Sequence, residues 1–500
     1  MEKRDSEASI EHLVSQLAWF REARDRNQLS EEKIRQTASA AVAEFFAAFE
    51  RGIYLRQAIA LIIEISTLSD GHLSRIGLRA LFPELIERLN DSFDPQACDT
   101  HDRIMAQVID YCRRLPEGIP IDLALKGFGL EAEADLLVRK RSLSDARHRP
   151  DRRQVKKIIM LSRVTIGADV AVTSVILGRL KSLAPQAELV WIGPRKLAEL
   201  YSGDRRLRLH PADYDRGGHL LDRLLSWLPL LAAIEEESKG LGEGDLWIVD
   251  PDSRMTQLGM LPVMTQDRDY YHFESRRFRA PGGDRLSQLA ARWCEEVWGK
   301  IETPDQAHPY IALTEAQIAM GERIVAWLRG DGTKSVVCLS FGVGGNSNKS
   351  LGEEFEGLLL GVLASRFALL IDKGGSSEEH RMIERMTDRL RTAGKRVVAA
   401  REGVLLRDES EGFDLMTWEG GIGSFAALVR ASDQYVGYDS AGQHLAAAQG
   451  VPTLTIFVNS GSPLFARRWH PAGPGTIKVF PVLKNDLLPD DLIDAIIAQL

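Results

Sequence analysis

The residues with the clearest chemical purpose lie near the end of the chain, in Tyr438-Asp439-Ser440-Ala441-Gly442-Gln443-His444-Leu445-Ala446-Ala447-Ala448-Gln449-Gly450-Val451-Pro452-Thr453. The order predicts a strand ending at Asp439, a turn of small residues, an alanine-rich helix of about two turns stopped by Gly450, and a new strand. A turn of this kind aims backbone N–H groups and the positive end of a helix at whatever lies beyond the strand, which suits a diphosphate. Ser440, Ala441 and Gly442 let a ligand approach the backbone, and His444, one turn in, is placed to donate to a phosphate or ribose oxygen.

A second candidate is Ser340-Phe341-Gly342-Val343-Gly344-Gly345-Asn346-Ser347-Asn348-Lys349. Glycine-rich loops after strands cradle phosphates, and Lys349 brings a compact positive charge to the end of this one. The spacing is not that of a Walker loop, and a plain flexible turn with an exposed lysine fits the same residues. A third is Thr165-Ile166-Gly167-Ala168-Asp169-Val170, where Asp169 follows another strand. A carboxylate facing a cleft there would serve as general base towards a hydroxyl; Asp is equally a favoured helix N-cap. Asp250-Pro251-Asp252 and Asp267-Arg268-Asp269 have the DxD form that holds divalent metals, but the pattern is short and common by chance, so no metal ligand is assigned.

These loops need strands and helices to hold them. Beyond Lys157 short β-branched runs alternate with helical segments, which predicts parallel sheets with crossover helices. One series holds Ile158–Leu161, Glu188–Ile192 and Leu246–Val249; another holds Ser335–Leu339, Ala368–Ile371, Arg396–Val398, Gln434–Gly437 and Thr453–Phe457. Before them, residues such as Ile10, Leu13, Leu17 and Phe20, then Val42, Phe45, Phe46 and Phe49, recur at helical spacing. Ser30 is placed to cap a helix opening at Glu31, and Gly52 to break it.

The expected organisation is an all-helical domain over 1–138, a basic linker over 139–156, a Rossmann-like lobe over 157–310, a hinge helix within 311–333 and a second Rossmann-like lobe over 334–500. The linker is defined by nine Lys and Arg against two Asp between Arg139 and Lys157. Its charge suits a solvated hinge or a peripheral foothold on an anionic membrane or a phosphorylated glycan.

Composition narrows the class. With 44% hydrophobic and 27% charged residues the chain reads as globular, and its formal net charge of −8 argues against general nucleic-acid binding. Cys98, Cys112, Cys294 and Cys338 are scattered without metal-site spacing. There is neither a secretory leader nor an apolar window long enough for a bilayer, so a cytoplasmic location is expected.

Taken together, the motifs resemble the family 9 glycosyltransferases, the ADP-heptose:lipopolysaccharide heptosyltransferase family. Asp439 to Ala448 with Gly450-Val451-Pro452-Thr453 is similar to that family's DSGxxHLAAAxGVPT signature, and Arg468-Trp469-His470-Pro471 to its Trp and Pro after the last strand. Lys349 falls at the family's phosphate-binding lysine, and Gly167 and Asp169 at its Gly-Asp pair. The resemblance spans about Lys157 to Leu500. It implies a GT-B pair of Rossmann-like domains behind the helical region and inverting transfer of a heptose-like sugar. The implied donor is an ADP-linked nucleotide sugar, the acceptor a glycan or protein hydroxyl, and no further cofactor is called for. It also implies Asp169 as base, with Gly167, Gly344, Lys349, Asp439, Ser440, Ala441, Gly442 and His444 around the substrates. Three positions depart from the pattern: Ala168 stands between Gly167 and Asp169, Ala441 replaces the first glycine after Asp-Ser, and Ser350-Leu351-Gly352 follows Lys349. Those departures keep a non-catalytic nucleotide-sugar-binding scaffold, and an enzyme that alters the sugar nucleotide without transfer, as alternatives.

Overall fold

A computed structural model describes residues 2–145, 155–215, 217–265, 267–301, 308–330, 334–404, 412–459, 462–484 and 489–500. The chain forms two compact units. The first comprises Met1–His148, Ala212–Leu241 and Asp252–Phe278; the second comprises Arg149–Pro211, Gly242–Pro251 and Arg279–Leu500.

The first unit is built on helices, among them Glu2–Asp25, Glu31–Phe49, Arg56–Ser66, Pro95–Cys112 and Glu133–Asp145. Ser30 caps the second as expected, accepting from the Lys33 N–H, and Gly52 follows it with φ +76°. Asp94 caps the Pro95–Cys112 helix, whose first position suits a residue without an N–H. The core of the bundle is apolar, with Phe45, Ile59, Ile62, Ile63, Leu81 and Ile104 without exposed surface.

Two expectations change here. The stretch 157–310 is not one continuous lobe, because 212–241 and 252–278 find their partners among the helices. Phe128 packs on Trp227 with ring centroids 6.0 Å apart, and Arg276 donates to Asn90 at 2.5 Å. The basic linker begins later than 139: Arg139 and Lys140 lie inside the Glu133–Asp145 helix and are buried. Arg139 donates to the Gly259 carbonyl and to Asp267 at 2.9 Å, while Lys140 donates to the Leu258 carbonyl at 2.8 Å and pairs with Glu274 at 3.2 Å. Desolvating two cations inside protein requires such partners. The remainder of the basic stretch, 146–154, lies outside the described residues.

The second unit holds two parallel sheets. The first contains β1 (Lys157–Leu161), β2 (Glu188–Gly193), β3 (Leu207–Pro211) and β4 (Leu246–Asp250), in the order β3-β2-β1-β4. The second contains β5 (Val336–Ser340), β6 (Ala368–Asp372), β7 (Val397–Arg401), β8 (Leu415–Glu419), β9 (Gln434–Tyr438), β10 (Thr453–Val458) and β11 (Ile477–Val482). Its order is β11-β10-β9-β5-β6-β8-β7. Central strands such as Val336–Ser340 are buried along their length, the pattern of parallel strands covered on both faces.

Four helices of this unit matter below: α1 (Leu286–Trp298), α2 (Glu315–Arg329), α3 (Ile422–Ala431) and α4 (Ala441–Ala448). Helix α2 opens on a capping box, Gln317 N–H to Thr314 Oγ1 at 3.3 Å and Thr314 N–H to Gln317 Oε1 at 2.9 Å. It packs on α3 so closely that a Cβ on Gly321 would lie 2.4 Å from the Ala427 carbonyl oxygen.

Topology marks where ligands go. From β1 the chain runs outward to β2 and β3 and returns to β4 on the other side; from β5 it runs out to β6, β7 and β8 and returns to β9. In open parallel sheets the crevice lies at such reversals, beyond the carboxyl ends of the strands. Here those ends carry Ser162–Asp169 after β1, and Phe341–Lys349 with Asp439–Gly442 after β5 and β9. No helix among the described residues is long and apolar enough to cross a membrane.

Candidate functional site

The turn after β9 is shaped by a buried tyrosine. Tyr435 has no exposed surface, and its hydroxyl oxygen would lie 2.1 Å from a Cβ on Gly442 and 2.3 Å from one on Gly437. Glycine at 442 therefore lets the first turn of α4 settle onto the tyrosine. Ser440 occupies the N-cap with extended backbone (φ −152°, ψ −174°) and makes no side-chain capping bond, so the first N–H groups of α4 are left without that partner.

Asp439 acts as an anchor. Its Oδ2 accepts from Lys349 Nζ at 2.5 Å and its Oδ1 from Gln443 Nε2 at 2.7 Å, while Gln443 Oε1 accepts from Thr455 Oγ1 at 2.7 Å. A carboxylate repels a diphosphate, so Asp439 belongs to the site as the holder of Lys349. The lysine keeps 27% of its side chain exposed and lies over the Phe465 ring at 5.0 Å from the centroid. Its arm is fixed from behind: Leu351 N–H donates to Tyr438 Oη at 3.1 Å, and Tyr438 and Ser350 hydroxyls donate to Glu356 at 2.9 and 2.6 Å. Burial raises the Glu356 pKa. Gly344 (φ +62°) and Gly345 (φ +86°) supply the left-handed turn before the lysine.

His444 is 5% exposed, and burial pushes its pKa down to about 4, so it is a neutral ring. The charges of Asp439, Lys349 and His470 all act on it, and its ring centroid is 6.1 Å from that of Trp469. Gly167, from the loop after β1, lies against it. A Cβ there would be 3.2 Å from Ala441 Cα and 3.3 Å from His444 Cδ2. The structure thus brings Gly167, Ala441 and His444 together.

Asp169 is placed differently from the expected cleft-facing loop carboxylate. Its N–H bonds the Thr165 carbonyl, which puts it one turn inside a helix that continues through a π turn, Asp169–Thr173. It is not the N-cap either; Thr165 is. The carboxylate is fully buried and accepts from Ser162 Oγ at 2.6 Å, Arg163 N–H at 2.8 Å and Thr173 Oγ1 at 2.8 Å. Burial raises its pKa to about 6 against these donors. The clamped loop contains Val164 at φ +71°, a conformation that costs a β-branched residue about 1–3 kcal/mol and needs surrounding structure to hold it.

Of the DxD matches, Asp252 Oδ2 accepts from the Ser275 N–H and hydroxyl at 2.9 and 2.6 Å, and Asp267 pairs with Arg139. No group of three or more potential metal ligands occurs among the described residues.

Sequence reasoning assigned no role to Arg285 or Ser287, or to His470 beyond its motif. Arg285 Nη2 lies 3.5 Å from His470 Nε2, and His470 Nδ1 bonds the Pro471 carbonyl at 2.8 Å. The signal for His470 was the Arg468-Trp469-His470-Pro471 run; for Arg285 only Gly282-Gly283, just before it, hinted at a designed turn.

No family model matches the chain, and no curated protein matches it in sequence. Solved structures do resemble it. A family 9 glycosyltransferase from Veillonella parvula has 13% identity and a TM-score of 0.49, with 69% of this chain and 97% of that one covered. ADP-heptose LPS heptosyltransferase II from E. coli has 15% identity and a TM-score of 0.45, covering 69% and 98%. An E. coli heptosyltransferase solved with ADP has 13% identity and a TM-score of 0.45, covering 69% and 100%.

Proposed function

We propose that the chain is an inverting glycosyltransferase that moves a heptose-like sugar from a nucleotide-diphosphate donor, ADP-linked, to a hydroxyl of a glycan or protein. The observation that carries this reading is the convergence, at the reversal of the second sheet, of Lys349, the uncapped start of α4 and a neutral His444. In the reading, the acceptor oxygen attacks the anomeric carbon as the bond to the diphosphate breaks, and the electron pair leaves with the diphosphate. Lys349 and the Ala441 and Gly442 N–H groups meet that charge, with His444 as a neutral donor; fixed donors of this kind supply much of electrostatic catalysis. The proton goes to Asp169, a carboxylate of the loop and helix after β1 that serves as general base. That role requires the 162–168 loop to release the carboxylate from Ser162 and Thr173. The donor is the sole small molecule the reading calls on.

The complete burial of Asp169 favours a second reading, a nucleotide-sugar-binding scaffold without transfer. Calorimetric titration with ADP, UDP, GDP and their sugar conjugates tests the common part. Micromolar binding of one diphosphate, lost in Lys349→Ala, is expected; no binding to any of them sinks both readings. Incubation of the bound sugar conjugate with candidate acceptors then separates them, since the scaffold releases no diphosphate.

A further inference from the structure

Helix α3, which follows β8 of the second sheet, begins without a cap of its own. Gly421 stands at its N-cap position and has no side chain to accept the first N–H groups. An acceptor comes from the first sheet: Glu199, in the short helix Lys196–Tyr201 after β2, accepts the Gly423 N–H on Oε2 at 3.1 Å. The glycines make room for it. A Cβ on Gly421 would lie 2.4 Å from Glu199 Oε2, so a residue able to cap the helix from 421 would displace the carboxylate. A Cβ on Gly423 would lie 2.4 Å from the Glu199 carbonyl oxygen and 2.9 Å from its Cβ. A second carboxylate serves the same turn from the side of the second sheet: Glu402, after β7, accepts the Gly421 N–H at 2.7 Å and the Ser424 hydroxyl at 2.9 Å.

The Glu199 contact closes a ring of contacts around the crevice. The Ser162 N–H donates to the Ile192 carbonyl of β2 at 2.9 Å, so the loop after β1 and the helix that carries Glu199 leave neighbouring strand ends together. On the other side Gln449, at the end of α4, donates from Nε2 to the Ala426 carbonyl of α3 at 3.0 Å. The ring is completed where a Cβ on Gly167 would meet Ala441 Cα at 3.2 Å. The chain that passes between the sheets is stapled to the same short helix. The Ala312 N–H donates to the Leu200 carbonyl at 2.8 Å, the Gly203 N–H to the Ala312 carbonyl at 2.9 Å, and Gln317 Nε2 to the Glu199 carbonyl at 2.8 Å. The start of α2 is thus held to the first sheet, and the Glu199 carboxylate carries the link on to α3.

We propose that Glu199 is a positioning residue. By capping α3 from the other sheet it sets how closely the loop after β1 meets the start of α4, and so the width of the crevice at Gly167, Ala441 and His444. An anion suits this place because the start of a helix carries partial positive charge. The role holds for whatever ligand the crevice takes, and it is tested without one, so a failed ADP titration leaves it in place.

The test is amide hydrogen exchange of the full chain, in the parent and in Glu199→Ala, Glu199→Gln and Glu402→Ala. Both alanine variants remove an acceptor from the start of α3, and losing a cap of this kind changes local opening by about fivefold. Glu402→Ala should raise exchange within 420–424 by that factor and leave 162–169 and 441–445 at the parent level. Glu199→Ala should raise exchange in all three segments, and Glu199→Gln, which keeps an acceptor oxygen, should fall between it and the parent. Gly423→Ala pushes a methyl group against the Glu199 carbonyl oxygen and should reproduce the rise in 162–169 and 441–445; it decides alone if Glu199→Ala does not fold. Parent-level exchange of those two segments in the Glu199→Ala or Gly423→Ala variant overturns the role and leaves Glu199 a helix cap only. An equal rise there in Glu402→Ala overturns it as well, because the loss of any cap on α3 would then suffice.

Discussion

The ammonium of Lys349 lies 2.5 Å from the carboxylate of Asp439, across the crevice between the loops that leave β5 and β9. The pair joins the one lysine of the glycine-rich loop to the turn that opens α4. Because Asp439 is also held by Gln443, and Gln443 by Thr455, the lysine is aimed from the interior of the sheet.

The first prediction follows from that geometry. Removing Lys349 deletes a cation and also bares Asp439 to an incoming diphosphate, so Lys349→Ala should weaken nucleoside diphosphate binding by about 10–100-fold. Adding Asp439→Asn removes the repulsion and should restore part of the loss. A double-mutant cycle by calorimetry checks this; additive effects of the two changes would mean that the pair does not act as a unit.

The second concerns Gly442. Its substitution by Ala drives a methyl group into the Tyr435 hydroxyl, for which the buried ring has no room. Such overpacking costs about 1–3 kcal/mol. Tyr435→Phe in the same chain removes the nearer obstruction but leaves the ring carbon Cζ 2.8 Å from the added Cβ, so it should return only part of the stability. Urea denaturation of the single and double variants measures both, and equal midpoints for Gly442→Ala and the parent would refute the contact.

Much of this scaffold is legible in the sequence, and the reasons for what is not are physical. Strands β1, β2, β5, β6, β9 and β10 lie inside the sheets, where unbroken apolar runs such as Val336-Val337-Cys338-Leu339 announce them. Strands β3 and β11 are at edges, where Leu207-Arg208-Leu209-His210 and Ile477-Lys478-Val479 alternate with polar residues and read as loop. The division of 157–310 was hidden because pairing of Trp227 or Arg276 with helices far earlier in the chain leaves no local trace. In the site, the turn chemistry of Asp439–Gly442 was readable from residue size and order. The burial of Asp169 was not, since it depends on Ser162 and Thr173 folding back onto one carboxylate.

The third prediction lies in the first unit. Asp102 is 6% exposed; it accepts from Arg277 at 2.8 Å and from His101 at 3.1 Å, with Arg276 at 3.8 Å. Asp102→Asn keeps the shape but sets two arginines against one fewer carboxylate. Breaking a buried pair in this way costs about 3–5 kcal/mol. Chemical denaturation should show the loss, and a cost below about 0.5 kcal/mol would mean that solvent reaches the cluster.

The fourth prediction is a pH dependence traceable to Asp169. Burial raises its folded-state pKa to about 6 from an ordinary value of 3.8, so the folded protein holds the proton more tightly than the unfolded chain does. Stability rises with pH only where the unfolded state binds more protons; here the opposite holds. The contribution of Asp169 is therefore fully present below pH 3.8, falls as pH rises through the folded value near 6, and is lost above it. A shift of this size corresponds to about 3 kcal/mol. Asp372, also raised to about 6 by burial, adds a slope of the same sign, so Asp169→Asn should flatten the profile between pH 4 and 6 without abolishing it. The amide keeps an acceptor for one of the three donors and sets its own N–H₂ against the others, so the variant should also be less stable than the parent at pH 7. Denaturation midpoints measured every half unit across the window decide the matter. A parent profile that Asp169→Asn leaves unchanged in slope would mean that the carboxylate is solvated in the working protein. It would then be free of Ser162 and Thr173, as the base role requires.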